Sequence, residues 1–257
     1  MAWIDLDGAV NVRDLGGLPA DEGRRTAPGV LLRSDNLQGL SPADVATLVD
    51  RVGLTTVVDL RSGAEAESEG PGPLDAVPSV ARLHLSVLPE IGERTDVVAE
   101  ALLLRREKDR SRYADDAMCG HYLGYLEDRP DSVTGALRAI ASSPGASIVH
   151  CAAGKDRTGV VIAMTLTAVG VPADVVVADY AATGEKIEAI LRRLVRSRTY
   201  EADLKGSSVD RHRPRPETMK AFLAEVQARY GGVTQWLADH GFGAGDLSRL
   251  RAKLLAS

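Results

Sequence analysis

Cysteine is scarce in this chain: the 257 residues include only Cys119 and Cys151. Two cysteines are too few for the disulfide framework that staples a small secreted domain. The first ten residues, MAWIDLDGAV, also lack the basic start of a signal peptide. We therefore expect free thiols in a reducing compartment, which is the cytoplasm.

Long apolar runs and an excess of basic charge are absent as well. The longest apolar stretch, 159–171, has 13 residues and includes threonine, whereas a membrane-spanning helix needs about 20. The net charge of -5 argues against a general nucleic-acid binder. With 44% hydrophobic and 26% charged residues, the composition is that of a globular protein with neither a membrane span nor a nucleic-acid partner.

What the chain does contain is an alternation of helical and strand patterns. Ser41 is a predicted N-cap, with Pro42 and Asp44 completing the helix start and Gly53 ending the helix. A buried strand is predicted at 54–62, a strand with alternating side chains at 80–87 and a short strand at 146–151, and residues 113–141 are mostly helical in pattern. Further helices are predicted at 216–230, around Trp236 and at 247–254. This order predicts an α/β fold with a mostly parallel sheet, and no linker divides residues 1–257 into two domains.

The segment SIVHCAAGKDRTGV carries the strongest chemical signal. It reads as a strand ending at His150, a glycine-containing loop and the start of a helix. Loop amides and a helix N-terminus favour an anion at one point. A cysteine there has its pKa lowered from about 8.5 to roughly 3.5–7.5, so Cys151 is expected to be a thiolate. Arg157 can offer its planar fork to two phosphate oxygens.

These parts predict a cysteine-dependent phosphatase that needs no metal or cofactor. Cys151 attacks phosphorus to form a cysteinyl-phosphate, Arg157 stabilises the equatorial oxygens, and the Thr158 hydroxyl eases departure of the sulfur. Asp156 is the candidate acid, as argued below. The predicted phosphate-binding residues are Ala152, Ala153, Gly154, Lys155, Asp156 and Arg157.

Other uses of these residues fit less well. A nucleotide-binding P-loop requires Ser or Thr after Gly154-Lys155, where the chain has Asp156. Pairing Cys119 with His121, or His150 with Cys151, gives too few ligands for zinc. Cys119 is interpreted as a packing residue of a helix. A catalytically idle phosphate-binding module is the alternative from another class, and the presence of both Cys151 and Arg157 disfavours it.

The motif H-C-x5-R-[ST] resembles the signature of the protein tyrosine phosphatase superfamily. More narrowly, HCAAGKDRTG is similar to the loop of microbial tyrosine/serine and phosphoinositide phosphatases. The segments NVRDLGG, LLRSDNL, VVDLRS and ADYAATGE agree with that resemblance. It implies a central, mostly parallel four-stranded sheet flanked by helices, with the loop at its carboxyl edge. It also implies that helices after the loop, around 172–215, cover the active site, followed by C-terminal helices at 216–257.

The sequence offers more than one candidate for the general acid. Phosphatases of this superfamily commonly carry it on a separate upstream loop, for which Asp115, Asp116 and Asp128 are candidates. The microbial relatives carry an aspartate inside the loop, so the resemblance favours Asp156. Lys155 either suits substrates with additional phosphates or only adds positive charge.

Charged residues outside the loop carry weaker signals. Asp59 and Arg61 end a predicted strand, and with His150 they either support Arg157 and the substrate or form a structural ion pair. Arg13 and Asp14 are interpreted as structural. Between residues 186 and 215 there are nine Lys/Arg against four Asp/Glu, which indicates a solvated face or a basic rim that attracts anionic substrates.

The expected substrate is a phosphorylated tyrosine or serine in a protein. A phosphoinositide, or a small metabolite such as a nucleotide or sugar phosphate, is the alternative. Aromatic residues make up only 4% of the chain, so few side chains are available to stack on a phenyl ring. That scarcity disfavours strict specificity for phosphotyrosine.

Overall fold

A computed structural model describes residues 1–89 and 116–256. They include a six-stranded sheet in the spatial order β1-β2-β3-β6-β4-β5. Strands β3, β6, β4 and β5 are parallel, as expected, and β1 and β2 extend this sheet antiparallel at one edge. The strands are β1 (Ala2–Trp3), β2 (Arg13–Asp14), β3 (Leu31–Ser34), β4 (Leu54–Asp59), β5 (Ala81–His84) and β6 (Ala146–His150).

Helices cover both faces of the sheet, and the α/β prediction is confirmed. The described helices are α1 (Pro42–Ala46), α2 (Gly63–Glu69), α3 (Ala117–Asp128), α4 (Pro130–Ser142), α5 (Asp156–Ala168), α6 (Ala173–Ala182), α7 (Ile187–Leu194), α8 (Glu201–Leu204), α9 (Pro216–Tyr230), α10 (Val233–Asp239) and α11 (Ala244–Leu254). None of them is long and apolar enough to cross a membrane.

The alternating side chains of the central strands contribute to two separate cores. Val57 of β4 and Ile148 of β6 pack with Leu48 beneath α1, whereas Val58 and Val149 belong to the larger core on the opposite face. That larger core includes residues of α3, α4, α5 and α9. Both faces of these strands are therefore covered, which is why their sequences are almost continuously apolar.

The first predicted helix shows how the local signals act. Ser41 accepts a hydrogen bond from the backbone N–H of Asp44 at 3.2 Å, and the Asp44 carboxylate accepts one from the N–H of Ser41 at 2.8 Å. This reciprocal pair confirms the predicted start. The helix continues as a wider turn over Thr47–Arg51 and ends before Gly53, whose φ of 76° suits a residue without a side chain.

Parallel pairing brings the carboxyl ends of the central strands to one edge. His150 lies opposite Ser34 on one side and Asp59 on the other, and Asp59 lies opposite His84. Ligands of open α/β sheets bind at this edge. The HCAAGKDRTG segment begins there, at the end of β6.

Candidate active site

The loop between β6 and α5 turns sharply at Gly154. Its φ is 66°, in the left-handed region that favours glycine. A Cβ atom at this position would lie 2.2 Å from the carbonyl oxygen of Ser34 at the end of β3. The loop therefore packs directly on the neighbouring strand, and no other residue type fits at position 154.

The amino end of α5 follows directly. Lys155 occupies the N-cap position, and its ammonium group has no acceptor with which it could cap the first amides of the helix. The helix has 13 residues, nearly all of them buried. Such a helix start favours a bound anion through its amide groups and its dipole.

Cys151 directly follows β6 at the start of the loop, and Thr158 lies in the first turn of α5. The Cys151 side chain is buried, with 1% of its residue surface exposed. The Thr158 hydroxyl is fully buried and has no hydrogen-bond partner among the described residues. A buried donor without a partner costs free energy, which fits a hydroxyl reserved for a group that changes during a reaction. The other thiol, Cys119, has its pKa raised to about 12 by burial and by Asp116.

Arg157 is held by a carboxylate that the sequence analysis did not identify. Its guanidinium donates to both oxygens of Glu65, at 2.6 and 2.9 Å, and both side chains are almost fully buried. Glu65 also accepts from the backbone N–H of Ser62 at 2.8 Å in the capping box of α2. The sequence signal was present as Ser62-x-x-Glu65 directly after a predicted strand, a spacing typical of a helix start.

Asp156 lies in a hydrogen-bonded cluster at the first turn of α5. The Tyr122 hydroxyl donates to its carboxylate at 2.5 Å and the Lys155 ammonium at 2.7 Å. Burial raises the pKa of Asp156, but the charge of Lys155 and these hydrogen bonds outweigh it and lower the pKa overall. The carboxyl group is therefore ionised at neutral pH. Tyr122 in turn shares a 2.8 Å hydrogen bond with Tyr180 of α6.

The upstream carboxylates lie elsewhere. Asp116 caps α3 by accepting from the N–H groups of Met118 and Cys119, at 3.0 and 3.2 Å. Asp128 is exposed at the other end of that helix. Asp115 is outside the described residues. Of the three candidates for the acid that lie in the described residues, Asp156 is the one at the loop.

Asp59, Arg61 and His150 form a separate buried group beneath the loop. Asp59 accepts from Arg61 at 2.9 and 2.6 Å and from Arg82 at 2.6 Å. Its pKa is well below the usual range because His150, Arg61 and Arg82 together outweigh burial. Burial lowers the pKa of His150 to about 4, so this imidazole is neutral at pH 7. Asp59 and Arg61 thus pair with each other, while the carboxylate paired with Arg157 is that of Glu65.

A cavity of about 60 Å³ lies over the loop. Its floor includes Ala152, Ala153 and the segment Lys155–Arg157, with Glu65 beside them. Its roof comes from the basic segment 186–215: Ile187, Leu191 and Leu194 of α7, then Tyr200, Asp203, Leu204 and His212. The Tyr200 hydroxyl is buried without a hydrogen-bond partner in the described part of the chain. The sequence analysis singled out this segment by its charge but gave no role to Tyr200 or Asp203.

No group of three or more potential metal-ligating side chains comes together within residues 1–89 and 116–256. The carboxylates near the loop are instead paired with basic side chains, as in Glu65 with Arg157 and Asp156 with Lys155.

Comparisons with known proteins agree with this geometry. The sequence model of the tyrosine phosphatase family matches residues 4–256. The chain is 30% identical to the triple specificity protein phosphatase PtpB of Mycobacterium tuberculosis, over 99% of this chain and all of that protein. It is also 30% identical to a putative tyrosine-protein phosphatase of Cupriavidus necator, over 95% of this chain and 81% of the relative. A tyrosine-protein phosphatase of Nostoc commune is 29% identical over 46% of this chain and 42% of its own. The chain belongs to the tyrosine phosphatase family.

Proposed function

We propose that the protein hydrolyses phosphate monoesters through a cysteinyl-phosphate on Cys151, and that phosphorylated tyrosine or serine in proteins is its main substrate. The observation that carries this proposal is the loop geometry. Cys151 lies in a turn between β6 and the open amino end of α5, and Arg157 is fixed beside the cavity by the two oxygens of Glu65.

In the first step, the Cys151 thiolate attacks phosphorus in line with the leaving oxygen. A P–S bond forms while the P–O bond to the leaving group breaks, and the leaving oxygen takes a proton from Asp156. Loop amides and the Arg157 guanidinium hold the three equatorial oxygens. These groups are already oriented, so they stabilise the developing charge without reorganisation.

In the second step, water attacks the cysteinyl-phosphate. Asp156, now a carboxylate, takes a proton from that water, a P–O bond forms, and the P–S bond breaks. The departing thiolate accepts a hydrogen bond from the Thr158 hydroxyl, which is buried without another partner among the described residues. Inorganic phosphate then leaves and the enzyme returns to its starting state.

Asp156 is ionised in the resting enzyme, so it must gain its proton when the substrate binds. A phosphate dianion in the cavity is a like charge for Asp156 and a competing partner for Lys155. Both effects raise the pKa of Asp156 relative to its lowered resting value. This coupling supports Asp156 as the acid, and it gives Lys155 a role in sensing the bound phosphate.

Within the segment 172–215, the part from α7 onward is proposed to act as a lid, whereas α6 packs into the larger core through Val176, Val177 and Tyr180. Binding pockets for small molecules have volumes of about 300–1,000 Å³, whereas the cavity over the loop holds about 60 Å³. Because this volume is small for a phosphorylated side chain, we propose that α7 and α8 move away from the loop when the substrate enters. The lid residues at the cavity are mainly aliphatic, with Tyr200 as the aromatic contact.

The proposal is tested with purified enzyme and its Cys151→Ser variant. Phosphate release is measured across phosphotyrosine and phosphoserine peptides, phosphoinositides, nucleoside monophosphates and sugar phosphates. We expect phosphopeptides to give the highest kcat/KM, and the variant to lose turnover while still binding inorganic phosphate. Near-normal turnover by the variant would refute the nucleophile. A single metabolite preferred by orders of magnitude would instead make the protein a biosynthetic phosphatase.

A further inference from the structure

Three segments that support the family resemblance meet beneath the phosphate-binding loop. NVRDLGG contributes Asn11 and Arg13, LLRSDNL contributes Arg33, and ADYAATGE contributes Asp179. All four side chains are buried, with no more than 2% of each residue exposed. None of them lines the cavity over the loop. Asn11 and Arg33 contact the loop from the opposite side, and Arg13 and Asp179 hold these two side chains. The proposed chemistry leaves all four without a role.

The carbonyl groups of three consecutive loop residues are held from this side. Each accepts a hydrogen bond from a group belonging to the first or second segment. The bonds are Asn36 N–H to Ala152 O at 2.9 Å, Asn11 Nδ2 to Ala153 O at 3.0 Å and Arg33 Nη2 to Gly154 O at 2.7 Å.

Fixing these carbonyls also fixes the amides that follow them. A peptide unit is planar and trans, so the N–H of the next residue points away from the preceding C=O. The amides of Ala153, Gly154 and Lys155 therefore point away from the buried side chains. The opposite side of the loop is the cavity lined by Ala152, Ala153 and Lys155, where the phosphate is proposed to bind.

We propose that Asn11 and Arg33 are positioning residues that hold the loop amides in the orientation that binds phosphate. The inference rests on the proposed function, because the loop must bind a phosphate for this orientation to matter. The two side chains act through the backbone of Ala153 and Gly154 and do not touch the substrate.

The orientation of Asn11 is determined by its neighbour. Arg13 Nη1 donates to Asn11 Oδ1 at 2.6 Å, and a guanidinium group has only donors. The side-chain oxygen of Asn11 must therefore face Arg13, which leaves its NH₂ group for the loop carbonyls. Arg13 is itself fixed by Asp179, with Nε donating to Oδ1 at 2.8 Å.

Asp179 orients Arg33 in the same way. Arg33 Nη1 donates to Asp179 Oδ2, and its other terminal nitrogen is thereby directed to the carbonyl of Gly154. The Asp179 carboxylate thus accepts hydrogen bonds from two buried guanidinium groups. Burial and the charge of Arg33 lower the pKa of Arg13 to about 10, so the Arg13 guanidinium remains charged at neutral pH. The group beneath the loop carries more positive than negative charge, which favours an anion above it.

The proposal is tested by Asn11→Ala, with Thr56→Val as the matched control. Thr56 is a buried residue of β4 whose hydroxyl bonds Ser143 at 2.8 Å, remote from the loop. We expect Asn11→Ala to raise the inhibition constant of inorganic phosphate and the KM for p-nitrophenyl phosphate by about tenfold, the scale of one lost oriented hydrogen bond. Thr56→Val should lower the melting temperature about as much as Asn11→Ala does. It should leave the inhibition constant of phosphate and the KM unchanged.

Arg33→Lys provides a second, independent test. Lysine keeps the charge but cannot bridge Asp179 and Gly154 with a fixed fork. The inhibition constant of inorganic phosphate should therefore rise in this variant too. This variant decides the question if Asn11→Ala does not fold. Wild-type constants in a folded variant would overturn the proposal, since the residues would then be only structural. Absence of phosphatase activity in the wild-type enzyme would refute the proposed function instead, which keeps the two failures distinct.

Discussion

At the scale of single residues, the Arg157–Glu65 pair is the most consequential contact of the site. Both side chains are nearly fully buried, and removing one member of such a pair costs about 3–5 kcal/mol. We expect Glu65→Gln to lower the melting temperature strongly at pH 7. Glu127→Gln, at an exposed glutamate, should change it little.

The same pair predicts a pH dependence of stability. Burial raises the pKa of Glu65, but the charge and hydrogen bonds of Arg157 outweigh it and lower the pKa overall. A lowered folded-state pKa means that the stabilisation is complete above the unfolded value of about 4.3. It is lost as the pH falls further through the folded value. Melting curves from pH 3 to 8 should therefore show the wild-type advantage over Glu65→Gln narrowing in acid, and a constant difference would contradict this origin.

Tyr122 allows the role of Asp156 to be tested by pH. Its hydroxyl hydrogen-bonds the Asp156 carboxylate and contributes to the lowered pKa of that group. Tyr122→Phe removes the donor, so the pKa of Asp156 should rise. If Asp156 donates the proton, the alkaline limb of the kcat/KM profile for an alkyl phosphate moves to higher pH. The control is Tyr230→Phe, since the hydroxyl of Tyr230 contacts Glu127 instead. If Tyr122→Phe leaves the alkaline limb in place, Asp156 is not the general acid.

At the scale of elements, the proposed lid packs on the loop through an apolar cluster that includes Ala152 and Ile190, and polar contacts join it to segments that flank the sheet. Arg193 of α7 donates to Asp35 and to the carbonyl of Gly8, and Ser197 donates to Glu69. We expect Arg193→Ala to loosen α7 and speed alkylation of Cys151 by iodoacetamide several-fold, because opening free energies depend on such contacts. Arg192→Ala, exposed on the same helix, should leave the rate unchanged. Equal rates for both variants would argue that α7 does not limit access.

Sequence patterns located the elements whose signals are local. The capping box at Ser41 and the strand-loop-helix at Cys151 each lie within a short window, and both were found. Strands β1 and β2 have two residues each, too short to show a period. The Arg157–Glu65 pair joins residues 92 positions apart. Arg33 and Asp179 pair although they are 146 positions apart in the sequence. Such pairs are determined by the tertiary fold, so periodicity and spacing cannot supply them.

At the scale of the whole molecule, one segment carries a charge opposite in sign to the net charge of the chain. The chain has a net charge of -5, whereas residues 186–215 carry nine Lys/Arg and four Asp/Glu. Arg192, Arg196 and Arg198 are exposed in the segment that roofs the cavity. A molecule with a negative net charge thus carries a local positive surface on the segment that roofs its active-site cavity. Such a surface raises the encounter rate of anionic substrates.

This distribution predicts a salt-dependent substrate preference. Replacing Arg192, Arg196 and Arg198 together by serine should lower kcat/KM for an acidic phosphopeptide several-fold at low ionic strength. The difference should shrink as salt reduces the screening length from about 10 Å at 0.1 M to about 3 Å at 1 M. The control replaces three exposed arginines outside the segment, Arg25, Arg51 and Arg249, and so makes the same change in net charge. If both triple variants lose activity equally, net charge governs the encounter and the basic segment is only a solvated face.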